Sequence, residues 1–242
     1  MGQEGSLTVK ACVFDVFGTT VDWRTSVSRD LAAFAKQKGI RNIDWVKFAD
    51  EWRQLYQPSM EEVRSGRRPW TILDVLHRES LAKLIGRYAI AGLSDADIDY
   101  ANHAWHRLDP WPDVVEGLTR LKRKMIIAPC SNGNIALMVD MAKRAGLPWD
   151  CVLGAETARA YKPLPEAYLA ACRHLGLAPS EVMMVAAHNG DLKAAKAQGL
   201  ATAFVPRPTE HGPGQRTDLA AEQGVVDIAA SSFVDLAAKL AC

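Results

Sequence analysis

The sequence has no apolar run long enough to cross a membrane and no signal-peptide pattern at its start. It has no excess of charge either, because 29 basic side chains face 28 acidic ones, for a formal net charge of +1. Such a chain has no general attraction to nucleic acid or to an anionic membrane, so we expect neither as a partner. The opening Met-Gly-Gln-Glu-Gly-Ser fits the N-myristoylation pattern, but no basic cluster or second acylation site follows it. We expect a disordered leader or a cloning remnant there.

Paired cysteines are also missing. The five cysteines are odd in number and form no Cys-x-x-Cys motif, and they lie at positions 12, 130, 151, 172 and 242. This usage favours reduced thiols and a cytoplasmic protein. Cys12 and Cys130 lie within apolar segments, and we expect them to fill space in the core.

Short apolar segments typical of strands buried on both faces recur along the chain, at residues 11–14, 125–129, 151–154, 182–187 and 201–205. Helical patterns separate the later segments, and three of these patterns end at a glycine; they cover residues 113–124, 134–145, 165–175 and 191–198. Alternation of strand and helix predicts an α/β fold with a parallel sheet.

About a hundred residues without a convincing strand lie between the first two strands, far more than an ordinary crossover needs. The spacing of apolar residues predicts four helices there, one capped by Thr25 or Ser26, one broken near Pro58, one over 71–86 and one over 94–108 with a capping box at its start. We therefore expect a core formed by residues 1–20 and 110–242, with residues 21–109 as an inserted helical domain. Five of the seven tryptophans lie in this insert, which suits either a lid over a small dry cavity or simply the insert's own core.

Polar residues follow four of the predicted strands. Ligands of parallel sheets bind at the carboxyl ends of the strands, so these are the candidate site residues. They are Asp15 with Thr19, Ser131 to Asn134, Lys162 with Pro163, and His188 to Asp191.

The first of these groups limits the class of reaction that the site can catalyse. Asp15 stands between an apolar strand and a glycine turn, the setting of a nucleophilic carboxylate. Two residues on, Phe17 takes the place where many enzymes of this plan carry a second aspartate as general acid. An aspartate that displaces an alkoxide from phosphate needs such an acid, whereas a halide leaves carbon without one.

The chain resembles the haloacid dehalogenase superfamily, and within it the L-2-haloacid dehalogenases, over nearly its whole length. The resembling residues are Phe14-Asp15-x-Phe17-Gly18-Thr19, Trp52-Arg53-Gln54, Ser131-Asn132-Gly133, Tyr161-Lys162-Pro163 with Tyr168, and Asp191. The resemblance implies a Rossmann-like core with a helical cap inserted after the first strand. It also implies hydrolysis of short 2-haloalkanoic acids to 2-hydroxy acids through an aspartyl ester, without metal or cofactor, in a homodimer.

The resemblance also implies roles for individual side chains. Asp15 is the nucleophile, and Lys162 keeps it ionised. Thr19 holds its second oxygen, and Arg53 receives the halide. The substrate sites are Ser131 and Asn132 for its carboxylate, together with Phe17 and Tyr168.

Several of these roles have alternatives. Ser131 is also a candidate helix N-cap, and Tyr168 is either a site hydroxyl or core packing. Asp191 either holds Lys162 or helps to activate water, and in phosphatase relatives an acid in this region binds magnesium.

His188 departs from the family pattern, since the more familiar dehalogenases carry an asparagine there. It is a water-activating base, a donor to the halide or a structural histidine. A histidine donor would favour a small halide, which leads to the hypothesis that fluoroacetate is accepted.

We therefore expect a hydrolase acting on carbon–halide bonds. Phe17 disfavours the first alternative, a magnesium-dependent phosphatase of the same superfamily. The presence of Asp15, Lys162 and Asp191 disfavours the second, a non-catalytic binding protein on this fold. Two further features stay outside this scheme: the His103-x-x-His106 pair is expected to face solvent, and the loop 206–214 to rim either the site or a subunit contact.

Overall fold

The computed structural model describes residues 8–242, so the myristoylation-like start lies outside the described residues. The strands are β1 (Ala11–Phe14), β2 (Val21–Asp22), β3 (Asp109–Pro110), β4 (Ile126–Ser131), β5 (Leu153–Gly154), β6 (Val182–Ala186), β7 (Ala201–Phe204) and β8 (Ile228–Ala229). The α-helices are α1 (Trp23–Lys38), α2 (Trp45–Gln54), α3 (Tyr56–Arg64), α4 (Leu73–Arg87), α5 (Asp95–Asn102), α6 (Val114–Leu121), α7 (Ile135–Ala145), α8 (Ala155–Ala158), α9 (Pro165–Leu175), α10 (Asn189–Ala197) and α11 (Phe233–Lys239).

Six strands form a parallel sheet in the order β5-β4-β1-β6-β7-β8. Side chains of β1 alternate between two apolar clusters, Cys12 and Phe14 in one and Ala11 and Val13 in the other. This alternation explains the continuous apolar run, because both faces of the strand are buried. The predicted α/β class and all five predicted strands are confirmed, while β8 consists of two residues and left no recognisable pattern.

The helices α1 to α5 lie between β2 and β3, which pair in antiparallel fashion. The start of α1 was predicted wrongly: its N-cap is Asp22, whose carboxylate accepts the backbone N–H of Thr25. The break predicted near Pro58 falls slightly earlier, at Leu55, and Pro58 lies in the first turn of α3. A proline fits there because its missing N–H has no partner within the helix.

The fourth helix of the insert is shorter than predicted. It begins with the expected capping box, in which Ser94 and Asp97 bond each other's backbone N–H groups, but α5 ends at Asn102 and a 3₁₀ turn covers His103–His106. This turn buries His106, so the prediction that it faces solvent was wrong.

Cys12 and Cys130 are fully buried, as expected of core fillers, and all five cysteines are free thiols. Within residues 8–242, no helix has both the length and the apolar character of a membrane span. The carboxyl ends of β1, β4 and β6 lie side by side in the sheet, and Asp15, Asn132 and His188 follow them.

Candidate active site

Asp15 lies just beyond β1, in the middle of the sheet. Its backbone N–H donates to the carbonyl of Val185 at 3.0 Å, and its own carbonyl accepts the Thr20 hydroxyl at 2.7 Å. The buried carboxylate accepts the Thr19 hydroxyl on Oδ2 at 2.7 Å, and Thr19 Oγ1 in turn accepts the N–H of Ala187 at 2.9 Å. These bonds hold the carboxylate in one orientation.

Lys162 bridges two carboxylates. Its Nζ donates to Asp15 Oδ1 at 2.9 Å and to Asp191 Oδ2 at 2.5 Å. Burial would raise the pKa of Asp15, but the charge of Lys162 and hydrogen bonds from Lys162 and His188 outweigh it and hold that pKa well below its ordinary range. Burial would likewise lower the pKa of Lys162, yet the charges of Asp15 and Asp191 raise it well above its usual value. Asp15 is therefore an ionised carboxylate beside a permanent cation.

Tyr168 extends this network from α9. Its hydroxyl donates to Asp191 Oδ1 at 2.6 Å, and burial, followed by the charge of Asp191, raises the pKa of the phenol well above its usual value. Both oxygens of Asp191 are thus engaged, one by Lys162 and one by Tyr168. Tyr168 lines the cavity and is also a fully buried member of an apolar core cluster, so its position is compatible with both expected roles.

The two predicted site residues around the end of β4 differ in their position relative to the cavity. Asn132 lines the cavity, and its Oδ1 accepts the backbone N–H of Lys162 at 2.8 Å. Ser131 is fully buried, does not line the cavity, and its Oγ accepts the N–H of Gly133 at 3.1 Å. It does not cap α7 either, because the N-cap is Asn134. The expected contact of Ser131 with substrate is not evident in this arrangement, and its cap role was wrong.

His188 stands between two carboxylates. Its Nδ1 lies 3.1 Å from Asp15 Oδ2, and its Nε2 lies 2.7 Å from Glu210 Oε2. Burial would lower the pKa of His188, but hydrogen bonds to Asp15 and Glu210 and their charges raise it to about 10. For Glu210, burial raises the pKa, and the bond to His188 and its charge bring it below its ordinary value. The pair is therefore an imidazolium and a carboxylate.

Glu210 was not predicted, although it lies in the loop 206–214 that was singled out. Trp23 Nε1 donates to its Oε1 at 3.0 Å. Gly18 has φ +89°, and a Cβ at this position would overlap the Glu210 carboxylate. The glycine after Asp15 thus gives Glu210 room to approach His188, and the loop rims the site.

Arg53 of α2 reaches the aromatic end of the site. Its guanidinium lies over the Tyr56 ring at 4.1 Å and the Trp23 ring at 5.3 Å, with Phe17 at 5.9 Å. Its buried Nη1 has no hydrogen-bond partner within residues 8–242. A buried donor of this kind, on a cation held by aromatic faces, is suited to an anion.

A cavity of about 840 Å³ joins these residues. It is lined by Asp15, Phe17, Trp23, Asp50, Arg53, Gln54, Tyr56, Gln57, Arg64, Asn132, Lys162, Pro163, Tyr168, His188, Gly190, Asp191, Glu210 and His211. Of the ten residues predicted, eight line it; Thr19 contacts Asp15 from behind and Ser131 lies outside it. Tyr56 and Arg64 also line the cavity and were not predicted.

A parallel α/β sheet with an ionised aspartate at the end of its first strand, a lysine on that aspartate and a cavity before it is the arrangement that a hydrolase with an aspartate nucleophile requires. A family model of haloacid dehalogenase-like hydrolases matches residues 9–199. The chain belongs to the haloacid dehalogenase-like hydrolases.

Several of the similar proteins are 2-haloacid dehalogenases. (S)-2-haloacid dehalogenase 4A of Burkholderia cepacia is 30% identical over 207 residues, which cover 83% of this chain and 84% of the relative. The crystal structure of a defluorinating L-2-haloacid dehalogenase is 50% identical, with a TM-score of 0.94 over 97% of this chain and 96% of the other. The crystal structure of another L-2-haloacid dehalogenase is 51% identical, with a TM-score of 0.93 over 96% and 99%.

Proposed function

We propose that this protein is a 2-haloacid dehalogenase that hydrolyses short 2-haloalkanoic acids to 2-hydroxy acids. The observation that carries the proposal is the ionised Asp15 carboxylate facing a cavity whose wall nearby is Phe17, with no acidic proton donor at that position. The two solved dehalogenases that are about half identical over nearly the whole chain support the same substrate class.

In the first step, one Asp15 oxygen attacks C2 of the substrate. The new C–O bond forms as the carbon–halogen bond breaks, and the halide leaves with the electron pair, so C2 inverts. Thr19 and Lys162 hold the carboxylate for in-line attack. Arg53 receives the halide, a role supported by its unpartnered buried Nη1. Asn132 is the candidate for the substrate carboxylate.

In the second step, water attacks the carbonyl carbon of the Asp15 ester. Because the ester removes the negative charge of Asp15, His188 first releases its Nδ1 proton to solvent. As a neutral imidazole it takes one proton from this water and returns it to the departing hydroxyl oxygen of the product. The other water proton leaves as Asp15 ionises again, and His188 then regains a proton from solvent. Glu210 orients His188 and balances its charge. Of the three roles considered for His188, the base is supported best. While Asp15 is a carboxylate, both ring nitrogens face carboxylates and neither is free for a halide. Once Asp15 is an ester, its charge no longer holds the Nδ1 proton, and Nδ1 is available to the water.

The donor set fits magnesium poorly. In a phosphatase, Asp15 and Asp191 would share the cation, but the Lys162 ammonium lies between them and bonds both. Lysine supplies the positive charge that a metal would otherwise bring. Together with Phe17, this arrangement supports dehalogenation over phosphate hydrolysis.

Fluorinated acids belong to the proposed substrates. The support is the solved defluorinating dehalogenase, which is 50% identical to this chain. Because His188 is fully engaged, the donor for fluoride is Arg53 rather than the histidine.

The proposal also covers the domain arrangement, the oligomeric state and the cellular location of the enzyme. Residues 21–109 act as a cap over the core, supported by the β2–β3 pair that joins its two ends and by Arg53 reaching the cavity. The enzyme works as a homodimer, which the family resemblance supports. It works in the cytoplasm, which its five free cysteines support. Sedimentation equilibrium tests the dimer.

The deciding experiment is a single turnover in heavy-oxygen water with enzyme in excess over L-2-chloropropionate. We expect one heavy oxygen in the peptide that carries Asp15, and halide release that persists in EDTA. Asp15→Asn is the control and releases no halide. Fluoroacetate, followed with a fluoride electrode, tests defluorination in the same pair of proteins.

Absence of heavy oxygen from the Asp15 peptide during a productive turnover would overturn the ester mechanism. Phosphate release from p-nitrophenyl phosphate that requires Mg²⁺, without halide release, would replace the proposal with a phosphatase. Turnover of neither substrate would favour a binding protein.

A further inference from the structure

The backbone that carries Lys162 is tied to one segment of the helical insert. Arg64, the last residue of α3, donates from Nη1 to the carbonyl oxygen of Lys162 at 2.9 Å. The hydroxyl of Tyr161 donates to the carbonyl of Thr71 at 2.7 Å, and the rings of Trp70 and Tyr161 pack at 4.9 Å between centroids. Three contacts thus join residues 64–71 to the neighbouring pair 161–162.

Arg64 is itself held in one direction by its own helix. Its Nε donates to Glu61 Oε2 at 2.9 Å, Nη1 also donates to Gln57 Oε1 at 3.1 Å, and Nη2 lies 3.4 Å from the Gln57 carbonyl. The side chain is only 12% exposed. A planar guanidinium with this many fixed donors has little freedom to follow a moving partner, so it acts as a rigid contact.

The two peptide groups around Lys162 are therefore both hydrogen-bonded, but from different parts of the molecule. Its N–H is held by Asn132 in the core, and its C=O is held by Arg64 in the insert. The ammonium of Lys162 bonds Asp15 and Asp191, and a displaced backbone would carry it away from them. A shift of even an ångström in such a group is costly for a positioned reaction.

We propose that Arg64 is a positioning residue for the dehalogenation, holding the carbonyl of Lys162 so that the lysine ammonium stays on Asp15 when the insert lies against the core. The inference rests on the proposed function. It adds that residues 21–109 complete the catalytic centre through its lysine, in addition to covering the cavity.

The test compares Arg64→Ala, Arg64→Lys and Arg67→Ala. Arg67 lies in the same segment, but it is exposed and pairs with Glu62 at 2.9 Å instead of with the core. With L-2-chloropropionate, we expect Arg64→Ala to lose about tenfold or more in kcat. In the same variant, the acid limb of the kcat/KM profile, where activity falls as Asp15 is protonated, should move to higher pH. The reason is that a less tightly held Lys162 lowers the pKa of Asp15 by a smaller amount. Arg64→Lys recovers part of both, and Arg67→Ala matches the wild type.

A folded Arg64→Ala protein with wild-type kcat and acid limb would overturn the inference. So would a loss of kcat with an unmoved acid limb and no recovery in Arg64→Lys, since that pattern is general loosening. If the wild type releases no halide, the proposed function fails by itself. Carbon-13 NMR titration of the Asp15 carboxyl then makes the same comparison without turnover: a titration midpoint higher in Arg64→Ala supports the inference, and an equal one rejects it.

Discussion

His188 and Glu210 form a close pair, with Nε2 of the imidazole 2.7 Å from Oε2 of the carboxylate. The opposite ring nitrogen lies 3.1 Å from Asp15, so the charge of the nucleophile acts directly on the histidine. While Asp15 is ionised, two carboxylates hold the proton on His188. Once Asp15 becomes an ester, one of these negative charges is lost, and the imidazole can give up its proton and act as a base.

Removing the charge of Glu210 should therefore affect the second step more than the first. In Glu210→Gln we expect a burst of halide equal to the enzyme concentration, followed by ester hydrolysis slowed about 100-fold, the usual size of a general-base contribution. Intact-mass spectrometry should detect the substrate's carboxyalkyl group, bound to the enzyme through C2 as the Asp15 ester. Glutamine keeps the shape that Gly18 accommodates, so wild-type stability serves as the control. Steady turnover at the wild-type rate without a burst would contradict this role.

Removal of the Lys162 ammonium should change the pH dependence of kcat/KM. In Lys162→Met, burial and the neighbouring charge of Asp191 act on Asp15 without the lysine, so the pKa of Asp15 rises. Since the reaction needs ionised Asp15, residual kcat/KM should fall off at a higher pH than in the wild type. We expect kcat to drop about 100-fold or more.

Lys193→Met is the matched control for this change, because Lys193 is exposed and lies 3.5 Å from Glu222. Its profile should coincide with that of the wild type. An unchanged acid limb in Lys162→Met would show that Asp15 does not depend on the lysine for its charge.

The sheet and the main site residues were predictable from sequence because their signals are local. An apolar strand, a glycine turn and a helix that ends at Gly146 or Gly176 are each written in consecutive residues. Since parallel strands end at one edge of a sheet, the order of these segments along the chain is enough to assign Asp15, Lys162 and Asp191 to one place.

Glu210 was not predictable in this way. It lies in an irregular loop without periodicity. Nothing in the sequence distinguishes this buried glutamate from acidic residues that face solvent. Its importance comes from three tertiary contacts, with His188, Trp23 and the bare backbone of Gly18. The same limit applies to His106, whose environment depends on where α5 ends and which side chains of α4 and α7 then meet it.

His106 links the insert to the core in a pH-sensitive contact. Its Nε2 lies 3.0 Å from Asp74 of α4 and its Nδ1 2.8 Å from Asp140 of α7, while the ring of His103 packs beside it at 4.4 Å. Burial would lower the pKa of His106, but the two carboxylates outweigh it and raise that pKa above its ordinary value. A raised folded-state pKa means that the stabilisation is complete below the unfolded-state pKa and is lost as pH rises through the folded-state value.

We therefore expect His106→Gln to lower Tm more at a pH of about 5.5 than at about 8.5. His103→Gln is the matched control, because His103 is exposed and its ring contacts a backbone carbonyl, that of Asp99, rather than a carboxylate. Thermal unfolding followed by circular dichroism at both pH values gives the comparison. A Tm difference independent of pH would mean that His106 contributes by packing alone.

Two helical glycines allow the effect of side-chain packing on stability to be measured separately from the effect of helix propensity. Gly117 of α6 meets α11 so closely that a Cβ would overlap Phe233, whereas Gly86 of α4 has no atom within 4 Å of an added Cβ. We expect Gly117→Ala to lower the free energy of unfolding by about 1–3 kcal/mol through overpacking. Gly86→Ala should raise it by about 0.5 kcal/mol, because alanine loses less backbone entropy than glycine on entering a helix. Urea unfolding of both variants measures the two changes. Opposite signs for the same added methyl group would show that contact between α6 and α11, rather than helix propensity, fixes glycine at position 117.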